Sequence, residues 1–158
     1  MKEKAKQFHQ RCRNGCWLIV IVQLTSLFLR WASLPDRIPA HFDAAGKVDR
    51  WGSKAELLVL PWISILMMAG LEWVSRHPKL WNIPVAVTEH NREALEAVTL
   101  RILSLAELLV VLWFALLEYF SMTGRSLPAG LILGFVLSVA VGICAAIFWC
   151  VHTAKKYR

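Results

Sequence analysis

Four long apolar segments alternate with short polar ones along this chain of 158 residues. A helix needs about 20 apolar residues to cross a hydrocarbon core of roughly 30 Å. The apolar segments are Cys16 to Leu34, Glu56 to Val74, Leu100 to Phe120 and Leu127 to Val151. The pattern therefore predicts an all-α integral membrane protein, a single four-helix membrane domain over 1-158, with spans at about 16-34, 55-75, 98-120 and 127-151.

Basic residues flank the two terminal spans and indicate an orientation. Cytoplasmic loops of membrane proteins are enriched in Lys and Arg, and an even number of spans places both chain ends on one side. We therefore expect the termini and the loop 76-97 on the cytoplasmic face of a bacterial inner (cytoplasmic) membrane. The residues behind this expectation are Lys2, Lys4, Lys6, Arg11 and Arg13 at one end, and Lys155, Lys156 and Arg158 at the other.

The net charge of +7 fits contact between these termini and anionic lipid, so it implies no nucleic-acid partner. The lipid bilayer is the partner that the composition itself predicts, because 57% of the residues are hydrophobic.

The polar segment between the first two spans, residues 34-53, differs from an ordinary linker. Pro35 and Pro39 restrict its backbone, while Gly46 and Gly52 permit turns. We expect an ordered cap on the outer face of the membrane, and we call residues 34-53 the cap throughout. Ser53 followed by Glu56 three residues later is the pattern of a capping box, so the second helical segment should begin directly after the cap.

Several ionisable residues fall inside the predicted spans, where each is costly without a partner. Residues at similar depths in the membrane are expected to pair, Arg30 with Glu118 and Glu72 with Arg101. Gln23 is expected to reach Glu107. Three of these residues, Arg30, Glu107 and Glu118, define a predicted polar seam between the first and third spans. The seam either fixes helix register or lines a path or binding cavity that opens toward the cap.

Small residues recur at every fourth position of the last span. Such stripes let helices in lipid pack closely, either within one chain or between two chains of a homodimer. The stripe consists of Gly130, Gly134, Ser138, Gly142 and Ala146.

Three cap residues offer imidazole and carboxylate ligands for a zinc ion, namely His41, Asp43 and Asp49. Two other readings stay open: recognition of a peptide or headgroup, or a structural role in which Asp49 pairs with a neighbouring basic residue, Arg50, Lys54 or Arg37. A second set of soft metal ligands lies near the opposite face: His9, Cys12, Cys16, Cys150 and His152. Beyond zinc no cofactor is expected. No phosphate-binding loop or nucleophile motif is present, so no catalytic residue is assigned.

The cap and the lysine after it read LP-x-x-IP-x-HF-x-x-x-G-x-x-D-x-x-G-x-K from Leu34 to Lys54. This pattern resembles the signature loop of a bacterial membrane family of unknown biochemical function, related to the N-terminal part of the SdpI-type immunity proteins. Those proteins protect producer cells from a secreted antimicrobial protein toxin. The resemblance covers roughly residues 10 to 120 and implies that the cap lies outside the cell. SdpI-type proteins are longer and have additional spans.

The resemblance implies a binding or protective role, in which the cap engages an extracellular peptide toxin or lipid. The predicted contact surface consists of His41, Asp43, Asp49 and Lys54, with the polar seam beneath it. Two alternatives remain at this stage: a metal-dependent membrane enzyme that uses His41 and Asp49, and a small transporter that dimerises through the small-residue stripe.

Overall fold

The computed structural model describes residues 1–157 and consists of four α-helices and one β-hairpin. Arg158, which we counted in the basic C-terminal tail, lies outside the described residues. The elements are α1 (Lys2–Arg30), β1 (Arg37–Phe42), β2 (Val48–Ser53), α2 (Val59–Ser75), α3 (Arg92–Thr123) and α4 (Ala129–Lys156).

Four helical segments are long and apolar enough to cross a membrane, so the prediction of a multi-pass membrane protein is confirmed at that level. Two helices begin earlier than the predicted spans. The first turns of α1 pack against the start of α3, where Ala5 is buried with Ala97 and Leu100. Small residues at this crossing let the two polar helix ends come together, so both helices continue beyond their apolar parts.

The core of the bundle lies between α1, α2 and α3. Cys16 and Val20 of α1, Met68 of α2 and Val111 of α3 form one buried cluster. The last helix, α4, packs against α3, and Trp113 stacks on Phe135 with ring centroids 4.3 Å apart. In the described part of α4, the buried side chains are those of Cys150 and Thr153, so most of this helix faces outward.

The three glycines of the small-residue stripe on α4 do not mediate close packing within the chain. A Cβ atom added at Gly130, Gly134 or Gly142 would meet nothing within 4 Å. The expectation that the stripe packs against the chain's own helices is therefore wrong for these glycines. The homodimer stays a prediction.

The cap folds as a β-hairpin, so the expected all-α fold is incomplete. β1 pairs with β2 in antiparallel fashion, with Ile38 opposite Gly52 and His41 opposite Arg50. The turn closes because the Asp43 carboxylate accepts hydrogen bonds from the Ala45 and Lys47 amides at 2.9 and 2.8 Å. Short polar side chains at this position commonly organise turns in this way.

The predicted capping box is present. The Ser53 hydroxyl accepts a hydrogen bond from the Ala55 amide, and the Glu56 carboxylate accepts one from the Ser53 amide at 3.1 Å. It starts a 3₁₀ turn over Lys54–Leu58, which leads into α2.

The hairpin is tied to the turn between α3 and α4. The Leu127 amide donates to the Gly46 carbonyl at 2.9 Å. Below it, Leu27, Leu34, Ile38 and Leu57 form a buried cluster. The two chain ends meet at the opposite end of the bundle, where Tyr157 contacts Met1. We call this opposite end the terminal end.

Candidate functional site

A cavity of about 440 Å³ lies beneath the hairpin, bounded by the hairpin, the turn before α2, and helices α3 and α4. We call it the cap cavity. Its walls are mostly apolar, and its polar lining comes from the hairpin, the capping box and Ser121 of α3. The apolar residues include Ile38, Leu57, Leu60, Trp113, Leu117 and Ile132, and the charged or polar ones are His41, Asp43, Arg50, Glu56 and Ser121.

An ion pair stands at the mouth of the cap cavity. Arg50 Nη2 donates to Glu56 Oε2 at 2.9 Å and also points at the Ala40 carbonyl at 3.4 Å. The hydrogen bond to Glu56 raises the pKa of the Arg50 guanidinium above its ordinary value. The same Glu56 carboxylate belongs to the capping box, so this pair connects β2 to the start of the second span.

The structure brings His41 and Asp49 together. His41 Nδ1 lies 2.6 Å from Asp49 Oδ1, and the two side chains are 63% and 45% exposed. Asp49 was expected to pair with Arg50, Lys54 or Arg37. It pairs with His41 instead, at a point where the pairing is irregular: His41 is opposite Arg50, and the register shifts on both sides of His41.

Lys54 lies apart from this pair, at the base of the hairpin. Its ammonium forms a salt bridge with Asp36 at 3.1 Å and stands 5.7 Å from the centroid of the Trp31 ring. The predicted contact surface is thus divided into an exposed pair, a turn carboxylate at Asp43 and a basal ion pair.

Neither predicted zinc site gains a converging set of ligands. Within residues 1–157, no group of three or more His, Cys, Asp or Glu side chains is placed to hold a metal ion. His41 and Asp49 meet, but Asp43 Oδ1 is engaged by the amides of its own turn. Metal binding therefore stays a prediction without a geometric argument, and so does the metal-dependent enzyme.

Gln23 and Glu118 form a buried contact between α1 and α3. Gln23 Nε2 donates to Glu118 Oε2 at 2.6 Å, and the two residues are 4% and 0% exposed. Oε1 of each side chain is buried without a hydrogen-bond partner among the described residues. The expected partner of Gln23 was Glu107, which lies on nearly the same face of α3 eleven residues earlier.

A second cavity of about 440 Å³ lies beside this contact and includes Arg30, Gln23 and Glu118 in its lining. The expected Arg30–Glu118 ion pair does not form, but both residues border one cavity. Glu107 lies elsewhere, 2% exposed, with its Oε1 lacking a partner in the described chain. Gln23 and Glu118 meet between α1 and α3, but no hydrogen bond among the described residues joins them to Glu107. The continuous polar seam therefore stays a prediction.

The most connected carboxylate in the described chain is Glu72 near the terminal end. It accepts from His9 Nε2 at 3.0 Å, Arg13 Nη1 at 2.8 Å and Arg76 Nη2 at 2.7 Å. His9 Nδ1 also contacts Ser104 Oγ at 2.9 Å. The expected partner of Glu72 was Arg101.

Sequence reasoning missed the Glu72 network because its members lie on three helices. One signal was available: His9 and Arg13 are four residues apart and share a helix face, so a carboxylate facing both was a reasonable expectation.

Residues 18–65 match the family described as "Domain of unknown function (DUF1648)". An "Uncharacterized protein" of Archaeoglobus fulgidus is 38% identical over 64 residues, and the match covers 35% of this chain and 35% of that protein. The chain thus spans about a third of the length of this relative. No solved structure matches the chain.

The family match covers the apolar part of α1, the whole hairpin and the first turns of α2. It therefore includes His41, Asp49, Lys54 and Gln23 but neither Glu107 nor Glu118. At this level the protein is a multi-pass membrane protein, similar over residues 18–65 to a membrane-type family of unknown function.

Proposed function

We propose that this protein is a membrane binding protein with a protective role, whose cap cavity takes an apolar segment of an extracellular peptide toxin. The cap cavity, with apolar walls under a charged hairpin, is the observation that carries the proposal. In this proposal the hairpin faces the outside of a bacterial inner membrane and both termini face the cytoplasm.

The chemistry of the cavity fits an amphipathic ligand. Ligand pockets are usually apolar, with a few polar groups that fix orientation. Trp113 and Leu117 offer apolar contact from α3, while the Arg50–Glu56 pair offers charge at the mouth. A membrane-active peptide has both kinds of surface, since it must dissolve in water and enter lipid.

Part of the cap pattern that resembles the family's signature loop also lines this cavity. The residues of the Ile38–Phe42 stretch line it, including Pro39 and His41. The stretch that resembles the immunity-type loop thus forms a wall of the pocket. His41, Asp43, Asp49 and Lys54 form the proposed outer contact surface around it.

Filling the cavity tests this proposal. Leu117→Trp adds bulk from the cavity wall, and its matched control is Leu105→Trp, the same change on the same helix at a side chain that is 48% exposed. The chain and both variants are expressed in a sensitive bacterium, which is then challenged with membrane-active peptide toxins. A spin-labelled fatty acid serves as the lipid probe for the purified proteins.

We expect the chain and Leu105→Trp to protect cells, and Leu117→Trp and His41→Ala to lose protection while remaining in the membrane. Equal protection by Leu117→Trp would refute a role for the cavity. Immobilisation of the fatty-acid probe that Leu117→Trp abolishes, without protection by any form, would identify a lipid site and overturn the peptide proposal.

The buried carboxylates favour one second candidate, a proton-linked transporter. Glu107 and Glu118 are each at most 2% exposed in a helix that is apolar enough to span the membrane. Intramembrane carboxylates commonly mark proton relays. In proteoliposomes, a pH-sensitive dye should report proton flux that Glu118→Gln abolishes and Glu118→Asp retains. Flux that survives Glu118→Gln would exclude this role for the residue.

A further inference from the structure

A third cavity, of about 270 Å³, lies at the terminal end of the bundle, between the start of α1, the first turns of α3 and the end of α4. We call it the terminal cavity. It differs from the cap cavity in its charge. Its polar and aromatic lining residues are Arg101, Trp149, His152, Thr153, Lys156 and Tyr157.

The terminal cavity is basic. Arg101 and Lys156 supply two cations, and the described lining contains no Asp or Glu. Two acidic residues at this end, Glu93 and Glu96, are engaged by the Met1 amino group at 3.6 Å and by Lys2 at 3.3 Å. The positive charge of the cavity is therefore not balanced by a carboxylate in its lining.

The Arg101 side chain has a buried hydrogen-bond donor without an acceptor in the described part of the chain. Its Nε is buried without a hydrogen-bond partner among the described residues. An unsatisfied buried donor is unfavourable, and more so when it is charged. A guanidinium presents its N–H groups as a fork that matches the oxygens of a phosphate. The side chain is thus suited to an anion with at least two oxygens.

The position of the cavity also points to lipid headgroups. Arg101 stands at the beginning of the apolar part of α3, where charged residues give way to Ile102 and Leu103. Trp149 and Tyr157 line the same cavity, and both residue types concentrate at the membrane–water interface. The cavity therefore lies at the depth where lipid phosphates are found.

We propose that the terminal cavity binds a phosphate group, with Arg101 as its forked donor and Lys156 as its second charge. The source of the phosphate is an anionic phospholipid headgroup or a soluble phosphate ester. The site lies at the opposite end of the bundle from the cap cavity, so this proposal does not depend on the proposed function.

Four single variants test the site in matched pairs. Arg101→Gln and Lys156→Gln each remove a charge from the lining. Arg92→Gln on the same helix and Lys155→Gln on the neighbouring residue remove the same charges outside it. The full chain and each variant are placed in nanodiscs of phosphatidylcholine and phosphatidylglycerol. Native mass spectrometry then measures which lipid each protein retains.

We expect the preference for phosphatidylglycerol to fall about five-fold or more with Arg101→Gln and with Lys156→Gln, since each interfacial charge is worth roughly that factor. Arg92→Gln and Lys155→Gln should change it less. Arg101→Lys keeps the charge without the fork and serves as the reporter if Arg101→Gln fails to fold, with an intermediate preference expected.

Competition separates the two sources of phosphate. If glycerol 3-phosphate or inorganic phosphate displaces the retained phosphatidylglycerol, the cavity accepts soluble phosphate; if neither does, it requires the lipid. Both results support the site. A preference that the lining variants leave unchanged, or that the matched controls reduce equally, would overturn it and reduce the effect to general surface charge.

Discussion

Gly46 and Gly124 have similar backbone conformations but different surroundings. Both have positive φ angles, 80° and 66°. A Cβ at Gly46 would lie 2.0 Å from the Leu127 carbonyl oxygen, while one at Gly124 would meet nothing within 4 Å. Gly46 is therefore needed twice, for its conformation and for the close approach of the α3–α4 turn to the hairpin.

Gly46→Ala should destabilise the protein more than Gly124→Ala, by about 1–3 kcal/mol, the usual range for an overpacked site. Both variants incur the cost of a left-handed alanine, so their difference isolates the contact with Leu127. Denaturation in detergent measures stability, and hydrogen exchange at residues 37–53 reports the hairpin. Equal losses in the two variants would contradict the docked position of the turn.

Among the helices, the contact between α1 and α3 contains polar pairs that a purely apolar interface would lack. Gln23 meets Glu118, and His9 meets Ser104. Polar pairs between helices in lipid add modest stability, and they fix the axial position of one helix against the other because the alternative is an unpaired polar group. The register of α1 against α3 is thus set by a few side chains.

A double-mutant cycle on Gln23→Ala and Glu118→Ala should give a coupling free energy of about 0.6–2 kcal/mol. The matched cycle on Gln23→Ala and Glu107→Ala should give none, because Gln23 contacts the later carboxylate. Unfolding in mixed micelles measures all variants. Coupling in the Glu107 cycle alone would show that the helices are displaced along each other by about three turns.

Glu72 joins α2 to α1 through His9 and Arg13, and it also accepts from Arg76 at the end of its own helix. Glu72→Gln keeps the shape of the side chain but removes the charge that these donors share. We expect a loss of stability of about 1–3 kcal/mol, in line with hydrogen bonds to charged groups. Glu89→Gln, a carboxylate in the loop before α3, is the control and should have little effect. If the two variants unfold alike, Glu72 does not hold this end together.

Taken as a whole, the chain has two chemically distinct ends. The hairpin end presents an apolar cavity with an ion pair at its mouth, and the terminal end presents a basic cavity between helix termini. Helices α1, α2 and α3 share the core between these ends, while α4 adds to α3 and leaves most of its surface to lipid. Any ligand at one end is therefore far from the other.

This arrangement predicts which sites are accessible from each side of the membrane. In a background without the native cysteines, Ala44→Cys and Ser126→Cys should react with a membrane-impermeant maleimide from outside intact cells. Lys4→Cys and Lys155→Cys should react only after the membrane is permeabilised. Labelling of all four from outside would contradict the orientation, and the reverse pattern would invert it.

Much of the fold could be predicted from residues that are close together in the sequence. The spans follow from apolar length, and the capping box at Ser53 and Glu56 was legible because its partners are three residues apart. The order of the cap was expected from its prolines and glycines. Its folding as a hairpin was not, since strand pairing depends on contacts with the rest of the protein.

The side-chain pairings could not be predicted from the sequence, because they join residues that are far apart along it. Two carboxylates on one face of α3 were possible partners for Gln23. Several basic residues lay at the depth of Glu72 in the predicted membrane, so its partner was also undetermined. Which partner is reached depends on how far each helix is displaced along its neighbour. That displacement follows from the polar pairs together with packing along the whole crossing, including Ala5 with Ala97. The cavities arise in the same way, since each lies between elements that only the folded bundle brings together.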